Sequence, residues 1–292
     1  MDTQTLKYIG KDLYKTHILK EWKRYIVFMT RCHLHKGQIN DLLDFFKATP
    51  QRQAMLEHTT SFVEQTTRAF FYKDSTWDER IAIVKNHIEY MENIFNDEAI
   101  AKLYVNGERI RLWEDVYEEQ PVVMELWFHG GQRKEGCLSL VLSLGADELY
   151  QIMFWLAPSP EDNKLSLWIG ALQGTPNGSE IIKGLTKAFF GYRTKNLIFY
   201  GIRNVAAGLG CKHLYAVSNT GYYAMNHVRR DRKLKTSLDD FWQECEGQVC
   251  KDQRFFEMPI EEYRKSMEEL KPSKRAQHRR RFAKMDEITE SV

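Results

Sequence analysis

Residues 165–190 read LSLWIGALQGTPNGSEIIKGLTKAFF and combine three kinds of pattern in one stretch. Leu165 to Leu172 is a largely apolar run of strand length. Gln173 to Gly178 contains proline followed by Asn-Gly, which is typical of a turn. Apolar residues then recur at spacings of three and four, as on one face of a helix: Ile181, Ile182, Leu185, Ala188 and Phe189. The stretch therefore predicts a strand, a glycine-containing loop and an amphipathic helix.

Three more strand-like runs precede this stretch, and short connections rich in glycine and proline join them: Val122 to Phe128, Cys137 to Leu144 and Tyr150 to Leu156. The connections are too short to hold crossover helices, so neighbouring strands should pair antiparallel as a meander. Farther upstream, Asn106-Gly107 predicts a tight hairpin turn between Leu103–Val105 and Ile110–Trp113.

The remaining segments have mainly helical periodicity. The apolar spacing from Lys11 to Phe95 predicts three helices. A second helix after the loop should extend to about Leu209, and His213 to Val217 should form a short strand that ends at Ser218-Asn219. Charge-rich helical segments complete the chain: Leu238 to Cys245 and Ile260 to Glu290.

The order of these elements predicts an α+β fold. An N-terminal helical region, residues 1–100, should pack on a mainly antiparallel sheet formed by residues 101–292, and a basic helix should end the chain. We expect the two regions to form one compact unit.

The composition indicates a globular protein with a large core. The chain has 292 residues, of which 43% are hydrophobic and 28% charged, and this excludes a disordered tail, a disulfide miniprotein and a fibre. Five scattered cysteines without a C-x-x-C pair argue against disulfides and zinc, and Cys32, His33 and His35 are spaced so that a helix would point them apart. That spacing leads us to expect no bound metal. No signal peptide or apolar span is evident, so we also expect a cytoplasmic protein.

Several blocks resemble the VirK/YbjX family of Gram-negative bacteria, in order and at suitable spacing: Leu167 to Gly174, Thr186-Lys187, Gly191 to Lys195, Tyr215 to Asn219, Asp240 to Trp242, and the basic end around Ser273 to Ala276 and Arg279 to Arg281. The resemblance implies a role in virulence, envelope behaviour and tolerance of cationic antimicrobial peptides, without an agreed reaction. Thr194 departs from the pattern, because a proline is expected there.

The succession of meander, glycine-containing loop, helix and strand is also similar to the core of the GNAT acyltransferases. That resemblance implies that the loop and the helix N-terminus hold the phosphates of acyl-CoA or another phosphate-containing donor. The residues concerned are Gln173, Gly174, Asn177, Gly178 and Ser179. Residues 179–210 leave room for two helices where the GNAT core has one. An ordinary strand-to-helix turn is the alternative interpretation of the loop.

Arg193 and Lys195 lie at a break between two helices and could clamp a phosphate or carboxylate of such a donor. The alternative is a solvated helix start, although cations at a helix N-terminus oppose its dipole.

Four residues are candidates for proton transfer: His129, Asn219, Tyr222 and His227. His129 ends a strand beside Gly130-Gly131, and His227 follows the strand that ends at Asn219. Tyr222, or its neighbour Tyr223, could protonate a departing thiolate, since phenol and thiol pKa values are about two units apart. The alternative for each is an ordinary packing or turn residue.

The net charge of +2 conceals an uneven distribution. Residues 271–284 contain seven Lys or Arg and no acid, so the rest of the chain carries −5, and a second basic run spans residues 229–235. Aromatic residues are not interleaved for base stacking, which makes nucleic acid an unattractive partner. The family resemblance favours an anionic envelope lipid or its precursor, with the protein peripheral to the inner membrane.

Two hypotheses follow from the sequence. The first is a GNAT-like acyl or aminoacyl transferase that modifies an envelope component. The second is a non-catalytic factor whose basic C-terminal helix binds an anionic membrane surface or a partner protein.

Overall fold

A computed structural model describes residues 3–130, 133–175, 178–226 and 236–292. Within these residues the chain forms eleven α-helices and eight strands, which confirms the predicted α+β class. The helices are α1 (Thr3–Leu13), α2 (Leu19–Leu34), α3 (Lys36–Lys47), α4 (Pro50–His58), α5 (Ser61–Thr67), α6 (Trp77–Ile94), α7 (Asp97–Tyr104), α8 (Ser179–Ala188), α9 (Thr194–Gly208), α10 (Leu238–Glu244) and α11 (Pro272–Ser291). The strands are β1 (Ile110–Tyr117), β2 (Gln120–Trp127), β3 (Leu138–Leu144), β4 (Asp147–Pro158), β5 (Leu165–Gly174), β6 (His213–Val217), β7 (Gln248–Val249) and β8 (Phe255–Met258).

All eight strands form one sheet in the order β1-β2-β3-β4-β5-β6-β8-β7. The predicted meander from β2 to β5 is antiparallel throughout. The chain then passes through α8 and α9 and returns as β6, which pairs with β5 in parallel. Pairing covers only Ser166–Ile169 of β5 and His213–Ala216 of β6, so residues 170–174 extend past the paired region. The two helices expected between these strands are both present.

Helices border both faces of the sheet. The face that carries Met124 and Leu140 packs on α9, where Gly201 lets these side chains approach the helix backbone. Because successive side chains of a strand point to opposite faces, Trp155 of β4 lies on the other face. Helix α6 is tied to β4 through the buried His87, whose Nδ1 accepts a hydrogen bond from the main-chain N–H of Leu156 at 3.1 Å. Burial lowers the pKa of His87 to about 3, so this imidazole is neutral.

Five complete helices, α2 to α6, lie between Lys11 and Phe95, so the prediction of three for this segment was wrong. Thr49 shows why, because its side chain accepts a hydrogen bond from Arg52 N–H and caps α4 directly before Pro50. Asn96 caps α7 in the same way. The apolar periodicity continues across such breaks, since successive helices bury residues in the same core, and it therefore does not reveal where each helix ends.

The hairpin predicted at Asn106-Gly107 was also wrong. Leu103 and Tyr104 form the last turn of α7 and are buried with Ile100, so their spacing is helical. The hairpin lies between β1 and β2, where Glu118 and Glu119 adopt φ angles of 48° and 63°. Two glutamates at positive φ are unusual, and propensity does not predict a turn there.

The C-terminal third differs from its prediction in two ways. The small strands β7 and β8 were not predicted, although β8 pairs with β6 and brings Phe255 and Phe256 into the core. Within the segment from Ile260 to Glu290, helix α11 begins only at Pro272. Among the described residues, no helix is both long enough and apolar enough to cross a membrane.

Candidate functional site

The connection between β2 and β3 folds across the face of the sheet that carries Trp155. Its position is fixed by main-chain hydrogen bonds, from Phe71 N–H to Lys134 O at 2.8 Å and from Cys137 N–H to Phe154 O at 2.9 Å. The buried amide of Gln65 adds a bond from Nε2 to Gly136 O at 2.7 Å. Residues 134–137 are therefore held rigidly against β4 and β5.

Glu135 meets the sheet at Gly170, and the contact leaves no room for a side chain. The carbonyl oxygen of Glu135 occupies the place where a β carbon of Gly170 would stand. The register between β4 and β5 shifts at this point, between Met153 and Phe154, because Gly170 is an extra residue in β5. The bulge and the glycine together let the backbone of Glu135 rest on the sheet.

The carboxyl group of Glu135 is the centre of the candidate site. The residue is 4% exposed, and its Oε1 accepts hydrogen bonds from Tyr222 Oη at 3.2 Å and from Gln173 Nε2 at 3.3 Å. Burial raises the pKa of Glu135 to about 7, although Lys134 and hydrogen bonds from Tyr222 and Tyr223 oppose the rise. A carboxyl group with this pKa can accept and return a proton near neutral pH.

Tyr222 is positioned by the turn that follows β6. Gly221 lies against the carbonyl of Arg254, and its N–H donates to Ser218 Oγ at 3.0 Å. Tyr222 then forms an isolated β-bridge with Tyr72. Burial, followed by the charge of Glu135, raises the pKa of Tyr222 well above its ordinary value. The phenol therefore stays neutral and donates its proton to the hydrogen bond with Glu135.

The other predicted proton-transfer residues lie in different surroundings. The side chain of Asn219 accepts from Leu238 N–H at 2.7 Å and donates to Ser237 Oγ at 3.0 Å, which fastens β6 to the start of α10. His129 packs against Trp127, with ring centroids 4.5 Å apart and the rings tilted by 57°, and lines a cavity of about 430 Å³ beside Tyr104. His227 and the basic run 229–235 lie outside the described residues. The catalytic roles of all four candidates stay predictions.

The loop predicted to bind the donor borders a cavity of about 500 Å³. Gln173, Gly174 and Gly178 line it, and Gln173 also reaches Glu135. Gly178 is the N-cap of α8 and Ser179 is the first helical residue, whereas Asn177 lies outside the described part of the chain. The amide of Gln173 thus joins the carboxyl site to the proposed donor cavity.

Arg193 and Lys195 both contact α10. Arg193 is the N-cap of α9 and forms an ion pair with Glu244, while Lys195 Nζ lies 3.8 Å from the ring centroid of Phe241. Arg193 is also near enough to Tyr150, which lines the donor cavity, to oppose the rise that burial causes in the pKa of that phenol. Thr194 is the first residue of α9, a position that proline also suits, so the departure from the expected pattern is compatible with the helix start.

Glu135 was missed by the sequence analysis. It follows two cations in a short loop and belongs to no periodic pattern or motif. Its partners are 38 and 87 residues away along the chain. The glycines around it, at positions 130, 131 and 136, are the only local signal that the backbone approaches something closely.

Among the residues that the structure describes, one cluster has donor atoms close enough to hold a metal ion, namely Glu161, His213 and Glu257. His213 already places both ring nitrogens on carboxylates, Nδ1 2.8 Å from Glu257 and Nε2 3.3 Å from Asp162. The hydrogen bond to Glu257 is the main reason that the pKa of His213 is raised. Both ring nitrogens of His213 are therefore already engaged by carboxylates.

The chain is similar to one protein family and to individual bacterial proteins. A family described as "Protein of unknown function (DUF535)" matches residues 17–292. The "Uncharacterized protein YbjX" of Escherichia coli K12 is 31% identical over 131 residues, which cover 43% of this chain and 39% of that protein. An "Uncharacterized protein" of Haemophilus influenzae is 22% identical over 261 residues, 87% of this chain and 84% of its own. No solved structure matches. The resemblance to the VirK/YbjX family is thereby confirmed.

Gly170→Ala should displace residues 134–136 and destabilise the protein by about 3 kcal/mol, because the added methyl group meets a main-chain carbonyl. Gly37→Ala is the matched control, since nothing lies within 4 Å of its added carbon and it stands in α3, where alanine should gain up to about 1 kcal/mol. Denaturant unfolding measures both variants. Equal stability of the two would contradict the close approach.

Glu135→Gln should stabilise the protein above pH 7 by up to about 3 kcal/mol. The folded-state pKa of about 7 lies above the ordinary value of 4.5, so the wild type loses stability as pH rises from 4.5 to 7. Glutamine keeps the acceptor oxygen for Tyr222 and Gln173 and removes this dependence. The free energy of unfolding, measured for both proteins from pH 4 to 8, should be the same at the acidic end and differ at higher pH. Parallel pH profiles would show that the pKa of Glu135 is unperturbed.

Proposed function

The chain belongs to the DUF535 family, and we propose that it is a group-transfer enzyme in which Glu135 is the general base. The reaction moves an acyl or aminoacyl group from acyl-CoA, or another phosphate-containing donor, to an amine or hydroxyl group of an envelope component. The observation that carries the proposal is the buried Glu135 carboxyl group with a pKa near 7, beside the part of β5 that extends past its pairing with β6.

The geometry supports general-base chemistry at this point. A base works best when its pKa is near the operating pH, and burial gives Glu135 that value. Tyr222 and Gln173 orient the carboxyl group by donating to the same oxygen, Oε1. Tyr223 also forms a hydrogen bond with this carboxyl group. Gln173 and Tyr222 are only partly covered by the protein and define the side from which substrates approach.

The proposed step balances in protons and bonds. The acceptor nitrogen or oxygen bonds to the acyl carbon while its proton passes to Glu135, and the bond from the acyl carbon to the leaving sulfur breaks. The sulfur then takes a proton through the Tyr222 hydroxyl group, which Glu135 restores across their 3.2 Å hydrogen bond. The carboxylate is regenerated and no other reactant is required.

Some groups around the donor cavity favour the binding of an anion, and others oppose it. Main-chain N–H groups at the start of α8 and the nearby Arg193 favour phosphate. Asp147 and Glu148 line the same cavity and oppose it, although Glu148 is paired with Arg109. The phosphate-binding role of the loop therefore rests mainly on main-chain donors.

The second candidate function, binding of an anionic surface by α11, is supported by unpaired cations. Lys271, Arg279 and Arg280 are exposed and form no ion pair with a described residue. Arg281 and Lys284 of the same helix instead fasten it to the body, at Phe190 O and Asp115 respectively. Met285 and Ile288 of α11 are buried and Phe282 is half-buried against the core, so contact with a membrane would be mainly electrostatic.

Glu135→Gln and the double variant Arg279→Glu/Arg280→Glu separate the two functions. If the protein is a transferase, Glu135→Gln should lower thiol release from acyl-CoA by about 10²-fold or more and abolish complementation in a peptide-tolerance assay. The double variant should retain both thiol release and complementation. Glu57→Gln is the matched control, because Glu57 is an exposed glutamate on α4. The reverse pattern, with loss only in the double variant together with loss of flotation on anionic vesicles, would overturn the proposal in favour of surface binding.

A further inference from the structure

Helix α2 and the residue before it expose several large apolar side chains close together. They are Ile18, Leu19, Trp22, Ile26, Val27 and Leu34. Most other exposed large apolar residues in the described part of the chain are widely separated along the sequence, such as Val116 and Val249. Single exposed apolar residues are normal on a protein surface, whereas a group of them marks a surface that binds something.

The exposed residues lie opposite the face by which α2 packs on the protein. Phe28 and Cys32 of α2 are buried and stand four residues apart, so they form its core-facing side. Leu19, Trp22 and Ile26 recur at spacings of three and four and form a row on the other side of the helix. Their exposed fractions are 69%, 47% and 42%. Helix α2 is therefore apolar on two sides, and only one of them faces the core.

The charges around this apolar row are mostly positive. Residues 3–36 contain eight Lys or Arg and two acids, so they carry +6 while the remaining residues of the chain carry −4. Lys15, Lys20 and Lys23 are exposed and form no ion pair with a described residue. Lys20 and Lys23 directly follow Leu19 and Trp22 in α2. The row thus lies among cations that have no protein partner in the described structure.

A small cavity beside the row is also basic. Its volume is about 240 Å³, and Val27 lines it together with Lys23, Arg24, Arg31 and Arg68. None of the described residues that line it is acidic. Four cations around one small cavity favour an anionic occupant such as a phosphate group.

Two of these cations are free of carboxylates. Arg24 and Arg68 already form ion pairs, whereas Lys23 and Arg31 have none with a described residue. Arg31 donates only to the main-chain oxygen of Thr67, at 3.2 Å. Partial burial, followed by the charge of Arg68, lowers the pKa of Arg31, so the two guanidinium groups are close enough to repel each other. An anion between them would relieve this repulsion.

An apolar row beside a basic cavity fits the surface of a bilayer that contains anionic lipid. The apolar side chains of α2 would enter the boundary between headgroups and acyl chains, and tryptophan is favoured at that depth. The lysines would reach the headgroups. A second copy of the chain fits less well, because a two-fold contact through α2 would bring the same unpaired lysines together.

We infer that α2 is an interfacial membrane-binding helix, and that the basic cavity beside Val27 takes the phosphate headgroup of an anionic lipid. The inference does not depend on the proposed acyl transfer, since none of these residues is assigned a role there. It also places the membrane contact on α2 rather than on α11.

Flotation of the full chain on vesicles tests the inference, with phosphatidylcholine alone and with phosphatidylcholine mixed with phosphatidylglycerol. The wild type should float with the anionic vesicles and hardly with the neutral ones. Leu19→Gln/Trp22→Gln removes exposed apolar area, and Lys23→Glu/Arg31→Glu reverses the charge of the cavity. Each variant should bind the anionic vesicles about tenfold or more weakly than the wild type.

The first variant keeps the test decisive if the loss of the Arg31 hydrogen bond unfolds the second one. Leu19 and Trp22 lie on the exposed row, so the thermal midpoint of their double variant should stay near that of the wild type. Val116→Gln/Val249→Gln is the matched control, because it removes two exposed apolar side chains from β1 and β7 and should leave flotation unchanged.

Three further measurements separate the inference from its alternatives. Arg279→Glu/Arg280→Glu, on α11, and Glu135→Gln should both float like the wild type, so a failure of the acyl-transfer proposal would not alter this result. The inference is overturned if the wild type does not bind anionic vesicles, if both α2 variants float as well as the wild type, or if only the α11 variant loses binding. Light scattering would overturn it in favour of a second copy if the wild type is a dimer that Leu19→Gln/Trp22→Gln converts to a monomer.

Discussion

The contact between the main chain of Glu135 and Gly170 is the constraint on which the candidate site depends. A strand that must accept another backbone on its face can do so only where a side chain is missing, and β5 provides that place with a bulge and a glycine. The β2–β3 connection can then lie flat on the sheet. As a result the carboxyl group of Glu135 is taken out of water and placed between Gln173 and Tyr222, beyond the region where β5 and β6 pair.

The distribution of cations explains why the pKa of the buried Glu135 is raised while that of the buried Glu64 is lowered. Glu64 is 1% exposed, and burial alone would raise its pKa. Arg133, a hydrogen bond from Tyr14 and the nearby Arg68 outweigh burial and lower it. Arg133 lies only two residues before Glu135 but turns toward Glu64. Glu135 is therefore left with neutral donors at its oxygens, and burial determines its pKa.

The sequence predicts the centre of the sheet better than its surroundings. The runs that became β2 to β5 are apolar and are joined by connections too short for a crossover helix, so their antiparallel order follows from local pattern alone. The return through two helices to β6 was predicted for the same reason. In contrast, β7 and β8 are too short to show alternation, and Phe255 is a strand residue only because β6 is there to pair with it. The seven N-terminal helices share one core, which conceals their boundaries.

The candidate site could be predicted only in part for a related reason. Gln173 and Tyr222 belong to recognisable blocks and are both in the site. Glu135 has no motif, and its importance arises from residues brought to it by the fold. Asn219 is the opposite case. A polar residue at a strand end is easily recognised as a site candidate, yet the hydrogen bonds of the Asn219 side-chain amide fasten α10. Contacts between residues distant in the sequence, rather than residue type, therefore determine which of these residues belong to the site.

Direct titration of the Glu135 carboxyl group tests the account most directly. Carbon-13 NMR of the labelled protein, with the Glu135 signal assigned by its disappearance in Glu135→Gln, gives the pKa of this group separately from the other glutamates. We expect a midpoint near 7, well above the exposed glutamates, and a midpoint for Glu64 below theirs. A Glu135 midpoint near 4.5 would contradict both the buried geometry and its role as a general base.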